Sequence, residues 1–287
     1  MYLLFDIGGT KMRLAVSADG VTFDEPKIIF TPPDFDTAKD KISDVFNKLT
    51  NGKRIDLAVG GIPGILDSDR NVLIKAPNLS QWVGKPIKIE FEQLFSATTF
   101  LVNDADLAGL GEAVSGAGKN SQRVAYLTIS TGIGGVLIVN GKLGKSNLSY
   151  EPGHQIIDVD SSIWPKSKRY EKLGVTIGSI SSLISGKALQ ARYGKDAREI
   201  KDPKVWEEVC WLLAVGINNM IVFWNPDIVV LGGGMMQSSE ISVEILKSNL
   251  KEILKIFPKI PEIKKAELGD LGGLHGALAY LKQIQNK

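Results

Sequence analysis

The feature that most constrains this chain is a pattern that occurs twice: an apolar strand, a glycine-rich turn and a returning apolar strand. The first copy is Tyr2–Ile7, Gly8-Gly9 and Met12–Ser17; the second is Arg123–Ile129, Thr131–Gly135 and Val136–Val139. An isolated hairpin is marginal in water, so each copy needs further strands and helices to bury its faces. Two halves that open alike form a weak internal repeat, and within 287 residues this points to two related lobes.

The segments around the two hairpins support this. Lys27–Thr31 predicts a third strand, closed by Pro32-Pro33, and Asp36–Thr50 predicts a helix with Ile42, Val45, Phe46 and Leu49 at helical spacing. Strands are expected at Ile55–Gly60 and Thr99–Val102, with a helix around Glu90–Phe95 between them. The second half predicts helices at Ser179–Arg192, Pro203–Trp224, Val243–Ile256 and Gly272–Gln285, and a buried strand at Ile228–Leu231. Asp202-Pro203 is a strong start signal, a capping carboxylate followed by proline at the first helical position. Strands meandering and then alternating with helices give an α/β protein with a mixed sheet in each lobe.

Composition excludes several classes. There are 34 basic and 32 acidic residues, a net charge of +2, which gives no footprint for nucleic acid and no basic membrane face. Cys210 is the only cysteine, so an intramolecular disulfide and a multi-cysteine metal site are excluded. It lies in an apolar helical run and reads as a buried thiol. The Met1–Asp6 segment reads as a buried strand and not as a signal peptide. No stretch is expected to approach the ~20 apolar residues of a membrane span. The expectation is a cytoplasmic protein without a nucleic-acid or membrane partner.

Four glycine-rich turns follow strands, at Asp6–Lys11, Gly60–Gly64, Ser130–Gly135 and Gly232–Gly234, and each has two readings. Asp6-Ile-Gly-Gly-Thr-Lys11 is either a tight hairpin, with glycine supplying positive φ, or a phosphate cradle with bared backbone N–H groups. In the second reading Thr10 adds a hydroxyl, Lys11 a point charge, and Asp6 a carboxylate for a hydrated Mg²⁺. Ser130-Thr131-Gly132-Ile-Gly134-Gly135 offers similar equipment, and Gly232-Gly233-Gly234 lets a flat or phosphorylated ligand lie close to the backbone. Neither a Walker P-loop nor a dinucleotide fingerprint is present. In Val102-Asn103-Asp104-Ala105-Asp106 a carboxylate ends a buried strand just before a helix over Leu107–Val114. Asp104 or Asp106 caps that helix, or one of them is a general base for an attacking hydroxyl.

Taken together these motifs resemble the ROK family of sugar kinases and sugar-sensing repressors, within the actin-like ATPase superfamily. The ordered series also includes Gly60–Gly64, Pro77-Asn78-Leu79 with Trp82, Glu151-Pro-Gly-His154, Ser185-Gly186 and Gly269–Ala279. The resemblance implies a two-lobe actin-like (ribonuclease H-like) fold with the active site in the interlobe cleft. Residues 1–106 with 272–287 would form the amino-terminal lobe, and 107–271 the carboxy-terminal one. It implies ATP-dependent phosphorylation of a hexose hydroxyl, glucose by default, with Mg²⁺ held through water by Asp6 and Asp104 as the base. Asn78, Asn103, Glu151, His154 and Gly64 would bind the sugar. Gly8, Gly9, Thr10 and Lys11 with Thr131, Gly132, Gly134 and Gly135 would hold the ATP phosphates. Gly232, Gly233, Gly234 and Gly273 would flank adenosine. A homodimer is an expectation of the resemblance only.

Two departures from the family pattern matter. Many members build a zinc site from a histidine matching His154 and three downstream cysteines; here the region has none, and Ser179 stands where one is expected. No zinc site is therefore expected, and His154 must be oriented by hydrogen bonds alone. A sugar-contacting glutamate usually stands four residues before Ser185-Gly186, where this chain has Ser181, and Glu171 is the nearest upstream carboxylate. His275, inside the closing helix, reads as structural. The competing readings are a non-catalytic sugar-binding regulator, a kinase for an N-acetylated amino sugar or fructose, and an ATPase or carboxylate kinase on the same scaffold. The repressors of the family carry a DNA-binding domain ahead of the phosphate loop, and with that loop at Asp6 none is expected here.

Overall fold

The computed structural model describes residues 1–144, 149–160, 163, 176–238 and 240–285. In chain order it runs β1 (Tyr2–Ile7), β2 (Lys11–Ser17), β3 (Lys27–Phe30), α1 (Phe35–Thr50), β4 (Leu57–Ile62), β5 (Ile65–Leu66), β6 (Leu73–Lys75), α2 (Ile87–Phe95), β7 (Thr98–Asn103) and α3 (Asp104–Ser115). There follow β8 (Arg123–Ile129), β9 (Ile133–Val139), β10 (Lys142–Leu143), α4 (Ile180–Ile184), α5 (Gly186–Tyr193), α6 (Pro203–Trp224), β11 (Ile228–Gly232), α7 (Val243–Ile253), β12 (Glu262–Lys265) and α8 (Gly272–Gln285).

The chain divides into two compact units. The first comprises Met1–Gly116, Gly141–Ser149 and Asp270–Lys287; the second comprises Ala117–Asn140 and Tyr150–Gly269. The boundary expected after Asp106 falls inside α3, which stays whole with the first unit. The physical reason is its packing on α8: a Cβ on Gly276 would lie only 1.8 Å from the Leu107 carbonyl oxygen, so the two backbones touch.

In the first unit the strand order is β3-β2-β1-β4-β7, with β1–β2 and β2–β3 antiparallel and β1–β4 and β4–β7 parallel. Its core holds an aromatic cluster in which Phe5 meets Phe91 edge to face at 5.5 Å and Phe35 meets Trp82 at 5.1 Å. α1 is stopped at both ends by side-chain and backbone chemistry. Asp34 accepts from the Thr37 amide at the start, and Asn51 takes the left-handed conformation at φ 47° at the end.

The second unit repeats the plan: β8 pairs antiparallel with β9 and parallel with β11, which pairs parallel with β12. α6 supplies much of its core, burying Trp206, Val209, Leu213, Ile217 and Met220 among others. Asp202 caps it through the Lys204 amide, as the Asp-Pro signal predicts. At 22 residues α6 is long and apolar enough, by length and composition alone, to cross a membrane, against the expectation that no stretch approaches this. The cause is an apolar content on both faces: most of the helix is buried, yet Trp211, Val222 and Phe223 are exposed. The helix expected over Ser179–Arg192 is two. Ser185, extended at φ −68° and ψ 161°, ends α4 and caps α5 by accepting from the Ala188 amide.

Candidate active site

In the first unit the hairpin, the end of β4 and the starts of α3 and α8 meet around two carboxylates. Asp6 stands one residue before the end of β1, and Asp104 is the first residue of α3, immediately after β7. A Cβ on Gly61 would lie 3.2 Å from Asp6 Oδ1 and 3.3 Å from Asp104 Cα, so the missing side chain of Gly61 is what leaves room for both. A Cβ on Gly273 would lie 2.5 Å from the Asp6 carboxyl carbon, which places the first turn of α8 against the same group. Gly273, expected to flank adenosine, thus lies in a helix start beside Asp6.

Burial sets the electrostatics of this pair. It pushes the Asp104 carboxyl up to about 7, with the Asp6 charge adding to the shift and the Ala105 amide opposing it. Burial likewise raises Asp6 to about 6, against the lowering effect of the Arg13 guanidinium. Arg13 reaches Asp6 at 3.4 Å and Asp270 at 2.9 Å. This bridge ties the β1–β2 hairpin to the turn that leads into α8, and no motif in the sequence marks Arg13 or Asp270. Arg13 is the cross-strand partner of Asp6, and that pairing follows from the hairpin register once the hairpin is known.

The helix after β7 is capped by neither Asp104 nor Asp106 but by Asn103, whose Oδ1 accepts from the Ala105 and Asp106 amides at 2.9 and 3.2 Å. Its Nδ2 donates to the Gly64 carbonyl at 3.1 Å, so a second Nδ2 hydrogen is what Asn103 has left to offer. Gly64 itself turns the chain at φ 106°. Asp106 is buried and accepts from the Ser149 hydroxyl at 2.7 Å. Asp104 Oδ1 shares the Ala105 amide with Asn103 at 2.9 Å, while the Asp106 amide goes to Asn103.

The first glycine loop is a hairpin closed by the Gly8 amide on the Lys11 carbonyl at 2.8 Å, with Gly9, Thr10 and Lys11 exposed. Neither Gly8 nor Gly9 has a positive φ, contrary to the reason expected for them. Space decides at Gly9, where a Cβ would sit 2.8 Å from the Asn78 Cβ. The loop and Asn78, itself exposed, are thereby neighbours.

In the second unit the other glycine motifs gather at the end of β8. The Ser130 and Thr131 carbonyls accept from the Gly186 and Lys187 amides at 2.8 and 3.2 Å, fixing the loop to the start of α5. Thr131 and Gly132 are exposed, while Gly134 and Gly135 are paired within β9. Gly232 ends β11. Gly233 takes φ 91°, and a Cβ there would lie 2.3 Å from the Ile129 carbonyl, so only glycine fits against the end of β8. Gly234 lies near Ser130, whose Oγ would be 3.8 Å from a Cβ at that position.

Glu151-Pro-Gly-His154 forms a 3-10 turn over Pro152–His154, with Glu151 exposed and His154 half-buried. A Cβ on Gly153 would lie 2.0 Å from the Ile133 carbonyl, so the turn lies flat on β9. Ser181 is buried and its Oγ accepts from the Ile133 amide at 3.0 Å, so this hydroxyl is committed to the backbone. Glu171 lies outside the described residues. The donor set does not fit the family's zinc: Cys210 is buried in α6 with its Sγ near the Glu240 carbonyl, and Ser179 Oγ accepts from Ser182 to cap α4. His275 stacks edge to face on Phe23 at 4.9 Å.

Two sheets of one plan, each opening on a glycine hairpin, are the architecture of the actin-like ATPase class. The ROK family profile matches residues 2–284, and the chain belongs to that family. It is 30% identical over 298 residues to the N-acetyl-D-glucosamine kinase of Escherichia fergusonii, covering 96% of this chain and 98% of that one. The crystal structure of a ROK hexokinase from Thermus thermophilus superposes with a TM-score of 0.84 at 26% identity, over 100% of this chain and 99% of the other. A ROK family glucokinase from Streptomyces griseus, solved with glucose and AMPPNP, shares the fold with a TM-score of 0.77 at 22% identity, over 98% and 99% of the two chains.

Proposed function

We propose that this chain transfers the γ-phosphoryl group of ATP to a hydroxyl of a hexose or N-acetylhexosamine in the cytoplasm, with Asp104 as the general base. The observation that carries the proposal is the position of Asp104, a carboxylate raised to about 7 beside a second carboxylate, with its helix capped by another residue. A base poised near the working pH is matched to taking a proton from a hydroxyl. The proton of the sugar O–H passes to the Asp104 carboxylate, the oxygen forms its bond to the γ-phosphorus, and the bond to ADP breaks.

Asp6 is the group proposed to hold Mg²⁺, through water. Its partly buried carboxylate, of raised pKa and faced by one guanidinium, suits a cation that would neutralise phosphate charge. The exposed Gly9–Lys11 and Thr131–Gly132 segments offer backbone amides, hydroxyls and a lysine to phosphate, and the Gly232–Gly234 turn offers a flat approach for adenosine. Asn78, Asn103 and Gly64 in the first unit, and Glu151 and His154 in the second, are proposed for the sugar hydroxyls. Ser181 replaces a charged acceptor and is turned to the backbone, so the sugar is bound with one carboxylate fewer than in the family pattern.

N-acetyl-D-glucosamine is the first acceptor to test, because the E. fergusonii relative acts on it, and glucose is the second. The experiment is coupled ADP release with Mg-ATP across hexoses, N-acetylhexosamines and small organic acids. Sugar-dependent release supports the proposal. Release with an organic acid alone would replace it, and sugar binding without turnover would make the chain a sensor.

A further inference from the structure

No cysteine stands near the Glu151–His154 turn to fix it through a metal, yet the turn is held on three sides. β9 lies beneath it at Gly153. Ser181 of α4 supports the same strand at Ile133, and its Oγ would lie 3.0 Å from a Cβ on Gly153. The third support is an amide pair. Gln155, the residue after His154, donates from Nε2 to the Pro152 carbonyl at 2.9 Å and accepts at Oε1 from Asn219 Nδ2 of α6 at 2.9 Å. The Gln155 carbonyl also accepts from the Ile180 amide at 3.0 Å, which links the turn to the start of α4.

The chemistry of this pair fixes its orientation. A carbonyl can only accept, so Gln155 must turn its NH₂ toward Pro152, and its Oε1 is then left for the NH₂ of Asn219. Asn219 stands on the longest helix of the unit, on a stretch where Gly216, Ile217 and Met220 are buried. The turn is thus referenced to a long helix anchored in the core of its unit.

We propose that Asn219 and Gln155 are positioning residues for sugar binding, an amide lock that orients the Glu151–His154 turn without a metal. This rests on the reading of that turn as part of the sugar site, and the test separates the two. Steady-state constants for N-acetyl-D-glucosamine, glucose and ATP are measured on the full chain for wild type, Asn219→Asp, Asn219→Leu and His154→Ala. Asn219→Asp is nearly isosteric but accept-only, so Gln155 loses either its Asn219 bond or, if it flips, its Pro152 bond.

The expected result for Asn219→Asp is a rise of about tenfold in the sugar KM, with kcat and the ATP KM within about twofold of wild type. His154→Ala raises the sugar KM further. Asn219→Leu follows Asn219→Asp, and if it fails to fold by circular dichroism the isosteric variant decides alone. An unchanged sugar KM in Asn219→Asp, with His154→Ala impaired, overturns the lock and leaves the sugar site standing. Equal losses in kcat and both KM values would mark a purely structural role and also overturn it. An unimpaired His154→Ala removes the turn from the sugar site, and the lock goes with it.

Discussion

In the first unit β1 ends Asp6-Ile7 and its hairpin closes through the Ile7–Met12 pair; in the second, β8 ends Thr128-Ile129 and closes through Ile129–Ile133. Asp6 lies between Arg13 on its antiparallel side and Gly61 on its parallel side. Thr128, at the same rung, lies between Gly134 and Gly232. One plan therefore carries two chemistries. The first unit puts a carboxylate and a guanidinium where the second has a hydroxyl and bare backbone. In the proposed mechanism the first manages protons and a cation, and the second lets phosphate or a flat ring approach the main chain.

The sharpest way to break this comparison is to make the first unit like the second. Asp6→Asn should lower kcat by about a hundredfold or more, in line with losing one preorganised electrostatic group. It should also move the acid limb of the pH–rate profile downward, because the Asp6 charge is one cause of the raised Asp104 carboxyl. An unmoved limb would separate the two carboxylates.

Next in size is Gly233→Ala, which forces a side chain to φ 91° and against the Ile129 carbonyl. A loss of about 2–3 kcal/mol in denaturant stability is expected, together with a raised ATP KM. A raised sugar KM with ATP unaffected would contradict the division of labour.

A smaller effect concerns stability and pH. Asp6 and Asp104 have folded values of about 6 and 7, above the ordinary carboxylate value, so the folded protein holds extra protons from about pH 4 upward. That contribution is complete below about pH 4 and is lost as the pH rises through 6 to 7. Asp104→Asn, which cannot ionise, should therefore melt higher than wild type at pH 8, with an advantage that shrinks as the pH falls and is gone below about pH 4. The smallest effect is expected for Thr128→Val, below about 1 kcal/mol and within about threefold in kcat, because no charge is involved there.

Much of the fold is legible in the sequence because periodicity and caps agree. Tyr2–Ile7, Arg123–Ile129, Pro203–Trp224 and Gly272–Gln285 have the observed bounds. Misses come where one side chain outweighs the pattern. Ser185 breaks an apolar run into two helices, and the strand expected at Ile55–Gly60 runs over Leu57–Ile62, since Gly60 and Gly61 pair with Phe5 and Asp6 in the ladder. In the site, Asn103-Asp104 and the glycine loops stand out in the sequence because each follows a strand, and the roles given to them are the proposal above. The Arg13–Asp270 bridge and the Asn219–Gln155 pair join residues far apart in the chain, and nothing local marks them.

The central claim is that Asp104 takes the proton of the sugar hydroxyl. Its most direct test is ADP release with the best acceptor, measured from pH 5 to 9 for wild type and Asp104→Asn. Wild type should show an acid limb near pH 7, the value to which burial raises Asp104, and the variant should lose about 10²–10⁴ in kcat with sugar binding retained. A variant that keeps full sugar-dependent turnover, with the same pH profile, would contradict the account.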